Sequence, residues 1–301
     1  MAQSRKLIKD RMKSIGNTRK ITKAMELVAA SKMRRAVSAV LRTRPYAKEA
    51  WATVQSVLMA SPNIAHPLLE PKPEATKTLL VLFSSDRGLA GGFNVNMIRA
   101  ALVDARSLGT DKVEVLAVGR RGADALERAG VGVAARFPAL SNNPTFNDLL
   151  PAARLALEGF LTGKYKAVKL GFTDYISGIT QKPKIVDLLP LSPALARTEA
   201  PSPSYGGEGG GGHMATVEYI FEPSPAQVLD RVLPAIAETM LWQALLESTA
   251  SEHAARMMAM RSASDAAKDM LDDLTFTYNQ ARQSSITQEI AEISGGKAAL
   301  E

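Results

Sequence analysis

Apolar residues return at spacings of three and four along the start of the chain: Ile8, Met12, Ile15, then Met25, Ala29, Met33, Ala36 and Val40. That is the period of one helix face. The pattern predicts a single helix over 3–59, roughly 85 Å long at 1.5 Å per residue. Gly16 and Pro45 are its weak points. Pro45 is expected to bend it rather than end it, because helix formers continue on both sides. A second long pattern runs from Ser224-Pro225 to about Ser294, broken only by Pro234. Ser224 suits the N-cap and Pro225 the first helical position. Within it Met257, Met260, Ser264, Ala267, Leu271, Leu274, Tyr278, Ala281 and Ser285 alternate spacings of three and four without a slip, which is heptad spacing. Gly295-Gly296 is read as its end.

Between these helices the texture changes. Ser61-Pro62-Asn63 with Pro67, Pro71 and Pro73 marks a break. Lys77–Phe83 is then a continuous apolar run, as a strand buried on both faces should be. Further strands are expected at 113–118, 131–136, 167–173, 184–191 and 216–222, with helices near 93–107, 120–129 and 144–161. Strands alternating with helices predict a mostly parallel, doubly wound, Rossmann-like sheet. Pro201–Gly212, with its Gly206–Gly212 run, reads as a flexible loop.

The layout divides into an N-terminal coiled-coil helix (1–60), an inserted α/β domain (77–222) and a C-terminal coiled-coil helix (224–295). A helix of about 70 residues is too long to be covered by a compact domain of radius about 13–18 Å. The two long helices are therefore expected to bury their stripes on each other. Both ends of the inserted domain meet at one place, so the pair should be antiparallel. With position 58 near 225, paired positions sum to about 283, which puts Met25 near Arg256–Met260. Residues beyond about 280 then lack a partner, and Arg282–Ser294 becomes a single-helix tip carrying Ile286, Ile290 and Ile293.

Charge supports that pairing. The net charge is +7 over 301 residues, but residues 1–60 hold 14 Lys+Arg against 3 Asp+Glu, and residues 225–301 hold 6 against 11. A hydrophobic content of 46% is ordinary for a folded protein. Cysteine is absent, which excludes disulfides, thiolate nucleophiles and Cys-ligated metals. The basic start lacks an apolar core, so no secretory signal is expected. No stretch of about 18 apolar residues suggests a membrane span.

Candidate chemistry is sparse. The Ser84–Asn94 turn sits where a phosphate loop would, yet Gly88, Gly91 and Gly92 fit neither phosphate-loop pattern. His66, His213 and His253 have no metal-ligand spacing. Asp272-Asp273 reads as an acidic helix surface. No catalytic residue, metal or cofactor is assigned. Two rival classes remain. One is a nucleic-acid-binding coiled-coil protein using the basic helix, although only Tyr46 and Trp51 interleave it with aromatics. The other is a Rossmann-type enzyme with helical extensions.

Three segments carry a resemblance. Residues 17–33 (NTRKITKAMELVAASKM), 84–94 (SSDRGLAGGFN) and 278–290 (YNQARQSSITQEI) resemble, in order, signatures of the gamma subunits of F-type ATP synthases, and 251–261 is similar to the family too. The resemblance implies a non-catalytic central-stalk rotor of a bacterial enzyme. The helical pair would sit in the alternating alpha–beta hexamer, three of each subunit per gamma. The inserted domain would rest on the c-ring and bind epsilon, peripheral to the cytoplasmic side of the inner membrane. It further implies that Lys20, Lys23, Arg34 and Arg35 meet an acidic lever on the beta subunits. Met25, Arg256, Arg282, Gln283 and Thr287, and more weakly Glu289, match positions in contact with beta. Ile286, Ile290 and Ile293 would turn in an apolar collar, and Tyr219, Phe221 and Glu222 would touch the c-ring. Read as residues alone, the charged positions also fit a solvated helix face, and Met25 fits a core stripe.

Overall fold

The computed structural model describes residues 2–60, 66–138, 140, 144–191 and 224–298. The expected strand at 216–222, with Tyr219, Phe221 and Glu222, and the Gly-rich tract lie outside the described residues. The elements are α1 (Ala2–Ala60), β1 (Lys77–Phe83), α2 (Phe93–Leu108), β2 (Val113–Val118), α3 (Arg120–Arg128), β3 (Gly132–Phe137), α4 (Phe146–Leu161), β4 (Tyr165–Tyr175), β5 (Gln181–Leu189) and α5 (Pro225–Ala298). Contacts divide the chain into two compact units, Met1–Ala29 with Arg256–Glu301, and Ala30–Ala255.

Both long helices are continuous, α1 through Pro45 and α5 through Pro234. Ser224 caps α5: its carbonyl accepts the Val228 N–H at 3.1 Å and its hydroxyl accepts the Gln227 N–H at 3.4 Å. One expectation fails at the other end. Gly295-Gly296 does not stop α5, which continues to Ala298. Glycine disfavours a helix by only about 1 kcal/mol against alanine, and Lys297 and Ala298 favour it again.

In the larger unit the sheet order is β3-β2-β1-β4-β5. The first four strands pair in parallel, while β5 returns antiparallel to β4 through a hairpin. Ile176 and Ser177 both donate to the Thr180 carbonyl to close that hairpin. The period-2 alternation of β1 decides the layers. Leu80 and Leu82 pack with Met97, Ala101 and Ala105 of α2 and with Leu126 of α3. Leu79, Val81 and Phe83 join α4 on the other face. That face is also covered by α5, through Leu229, Leu233, Ile236, Ala237, Leu241, Ala244 and Leu245. The first third of α5 thus walls the sheet in addition to meeting α1, which it does through Gln243, Leu246 and Glu247.

In the smaller unit the heptad stripe is the buried face. Met260, Ser264, Ala267 and Ser285 are buried, and Leu271, Leu274, Tyr278 and Ala281 half-buried. Every other residue from 265 to 294 is exposed. On α1, Ile8, Met12, Ile15 and Met25 are half-buried and Thr22 and Ala29 buried. The register differs from the expected one. In the larger unit Thr43 bonds Gln243 and Arg44 bonds Glu247, pairs whose numbers add to 286 and 291 rather than about 283. In the smaller unit Ser285 is still buried, and continuous exposure begins at Ile286 rather than near 280. The cause is that specific side-chain bonds set the offset, not coincidence of the helix ends.

Two glycines give opposite expectations. A Cβ on Gly119 would lie 2.0 Å from the Ser84 carbonyl oxygen, at a φ of +98° where L side chains are strained. Gly119→Ala should cost about 3 kcal/mol or more, and Gly16→Ala, with open space around it, should stabilise α1 by about 1 kcal/mol. Denaturant midpoints of the two variants check both signs. Glu114 gives a pH expectation. It accepts from Lys77 (2.6 Å) and the Tyr165 hydroxyl (2.7 Å) and lies 3.0 Å from Lys164. Lys77, against burial, holds its pKa down from 4.5 to about 2. A depressed carboxylate stabilises above its unfolded pKa, so this contribution is present at neutral pH and lost as pH falls from about 4.5 through 2. Glu114→Gln should flatten the melting temperature over that window and leave its acid side less steep.

Candidate partner-binding surfaces

Residues 243–254 of α5 are buried on every side. A helix buried all round is normally apolar, yet this span holds Gln243, Glu247, Ser248, Thr249, Ser251, Glu252 and His253. Several of these polar groups answer a need of the sheet. The parallel pairing of β1 with β4 ends at Leu82 and Gly171, but β4 runs on to Tyr175. Beyond that point its backbone edge has lost its neighbour, and buried backbone groups must find partners. Ser248 accepts the Thr173 N–H at 3.1 Å and Ser251 donates to the Thr173 carbonyl at 3.0 Å. Glu247 accepts the Tyr175 N–H at 3.1 Å, and Arg44 of α1 donates to the Tyr175 carbonyl at 2.9 Å.

Glu247 is fully buried, so its charge needs a partner. Arg44 supplies it in a two-pronged pair, Nε to Oε1 at 2.8 Å and Nη2 to Oε2 at 2.9 Å. Gln243 adds a donor at 2.8 Å. Burial works against the Arg44 charge, but the Glu247 carboxylate, with Asp174 behind it, outweighs burial and raises the guanidinium pKa. Val40, Leu246 and Ala250 close an apolar cluster beside the pair.

The same end of the sheet is where a doubly wound fold would hold a ligand. Here it is filled. Ser84 Oγ accepts the Gly122 N–H at 2.9 Å, and Gly119 and Gly122 lie against Ser84 too closely for a Cβ. Asn94 accepts the Ser85 N–H and donates to the Ser85 hydroxyl. The turn binds itself, and α5 occupies the end of β4. No cluster of metal-binding side chains occurs among the described residues.

The sequence-derived contact residues fall on two surfaces. Lys20 and Lys23 are exposed one turn apart on α1, with Lys23 paired to Glu26 at 2.9 Å. Met25 lies on the half-buried stripe instead, while Ile21, Leu27 and Val28 are exposed. Arg34 and Arg35 are exposed in the larger unit, Arg34 lining a groove with Leu41, Arg42 and Tyr175. Arg256 is half-buried. Arg282, Gln283, Thr287 and Glu289 are exposed. Ile286, Ile290 and Ile293, spaced four and three, form one bare apolar line at 45%, 59% and 74% exposure. The Arg44–Glu247 pair was not foreseen from the sequence. Its one signal was a lone carboxylate inside the otherwise uncharged run 241–251.

Two helices of 59 and 74 residues with a mostly parallel sheet between them in sequence define an α/β protein with long terminal helices, and comparison with known proteins makes the class specific. A family model described as ATP synthase matches residues 4–300. The ATP synthase gamma chain of Herpetosiphon aurantiacus is 44% identical over 310 residues, covering 100% of this chain and 99% of the relative. That of Symbiobacterium thermophilum is 40% identical over 302 residues, covering 100% of both. The chain belongs to the ATP synthase gamma-chain family. Among solved structures, a chain of the Euglena gracilis mitochondrial ATP synthase (OSCP/F1/c-ring) has a TM-score of 0.70 at 18% identity, covering 100% of this chain and 95% of that one, and shares the fold. A chain of the Tetrahymena thermophila central stalk and c-ring has a TM-score of 0.56 at 26% identity, covering 81% of this chain and 99% of that one. The resemblance and the fold class read from the sequence are thereby borne out.

Glu247→Ala would take the two-pronged carboxylate partner from the part-buried Arg44 guanidinium and leave the Tyr175 N–H without its acceptor. The expected loss is about 3–5 kcal/mol, whereas Lys23→Ala, which breaks an exposed pair, should cost less than about 1 kcal/mol. Urea unfolding of the purified chain separates the two.

Proposed function

We propose that this chain is the central-stalk rotor of an F-type ATP synthase, carrying rotation between a membrane c-ring and a catalytic alpha–beta hexamer, and that it performs no bond chemistry itself. The observation that carries this reading is full-length kinship with gamma chains at 40–44% identity. The turn after β1, whose polar groups bond within the fold, supports the non-catalytic part. The working division is that 1–60 and 224–295 act as the coiled-coil shaft and 77–222 as the foot, with epsilon and the c-ring as its partners. The protein is peripheral to the membrane, held through the c-ring on the cytoplasmic side of a bacterial plasma membrane.

Only contact energy that differs between states can shift an equilibrium. An asymmetric helix pair inside a sleeve of repeated subunits supplies such a difference at each orientation. Lys20, Lys23, Arg34 and Arg35 suit acidic levers, since exposed ion pairs worth about 0–1 kcal/mol are made and broken easily. Met25 and Arg256, half-buried, would act from the edge of the helix pair. Arg282, Gln283 and Thr287 flank the bare isoleucines Ile286, Ile290 and Ile293, whose non-directional apolar contact suits a bearing.

Co-expression with alpha and beta subunits should give one copy of this chain to three of each, with ATPase activity in the mixture and none in the chain alone. Hydrolysis by the isolated chain would refute the reading. Deleting 286–301 should weaken coupling before assembly is lost; full coupling after the deletion would remove the tip from the mechanism.

A further inference from the structure

We infer that the Arg44–Glu247 pair and the side chains of Ser248 and Ser251 form the joint through which turning effort passes between the sheet and the long helices. This rests on the rotor reading and names the positioning residues that reading requires. A rod turned by a domain needs an attachment that resists slip along and around its axis. Apolar packing resists poorly, because it has no preferred direction. Leu229 through Leu245 cover the sheet in that way. Directed hydrogen bonds do resist slip, and in the larger unit they concentrate at one place on α5.

Four backbone groups at the end of β4, the N–H and carbonyl of both Thr173 and Tyr175, are each bonded by a side chain of α5 or α1. Three of the four bonds come from residues 247, 248 and 251, one turn of α5. A rotation of α5 about its axis, or a shift along it, would break them together and strand a fully buried carboxylate. Arg44 holds that carboxylate and the strand at once, so α1 is locked to the same point. Lys184 of β5 backs the cluster through Asp174 at 3.0 Å. Continuous helix then leads from this turn to Ala298.

The test is made in membrane vesicles carrying the whole enzyme with this chain, comparing ATP-driven proton pumping with ATP hydrolysis in the same sample. A residue that only stabilises the fold lowers both by the same fraction, so the ratio of pumping to hydrolysis stays fixed. Glu247→Gln and Arg44→Met should lower that ratio at least three-fold well below their melting temperatures, and Arg44→Lys should recover part of it. The double variant Ser248→Ala with Ser251→Ala, which keeps the charge pair and removes only the Thr173 bonds, should lower it as well. It carries the test where the charge variants do not fold. An unchanged ratio in the folded variants overturns the joint. Failure of the unmodified chain to support any pumping would instead count against the rotor reading.

Discussion

A strand that outlasts its neighbour must satisfy its exposed backbone, and in this protein that demand at the end of β4 organises the rest. The side chains that meet it come from one turn of α5 and from Arg44 of α1. Meeting it buries a carboxylate, and a buried carboxylate is tolerable only with a well-aligned partner. Arg44 is that partner. One constraint therefore fixes the rotation of α5 on the sheet, the position of α1 and the offset between the helices.

The character of α5 changes along its length as its surroundings change. Its first third is an amphipathic wall on the sheet. Residues 243–254 are buried all round and rich in hydrogen-bonding groups. From 265 to 285 a single heptad stripe is covered and every other position is open. From Ile286 to Ser294 even the apolar positions are bare. Anchorage where the chain meets its own sheet, and exposure where other subunits would surround it, is the distribution a transmitting shaft requires.

Periodicity made much of this legible. Nine residues from Met257 to Ser285 specified a covered stripe in a helix that is otherwise solvent-facing, because a 3-4 alternation leaves no other face to bury. The unbroken run Leu79–Phe83 specified a strand covered on both sides. What periodicity does not encode is the identity of the covering surface: Leu229, Leu241 and Leu245 pack into the core of the sheet, while Leu246 and Ala250 pack with Val40 of α1. Nor does a single Glu247 reveal that its partner lies 203 positions away, and without that pair the register stayed several residues off. Lys20, Arg34, Arg282 and their neighbours were named through kinship, since an exposed charge on a helix carries no local mark of a partner. Met25, named in the same way, lies on the covered stripe.

The central claim, that α5 is fixed to the edge of β4, is tested most directly by amide hydrogen exchange on the isolated full-length chain. The account predicts that the amides of Thr173, Tyr175 and residues 243–254 exchange among the slowest in the protein, and that those of 286–294 exchange far faster. Exchange of the Thr173 and Tyr175 amides as rapid as that of the helix end would contradict it.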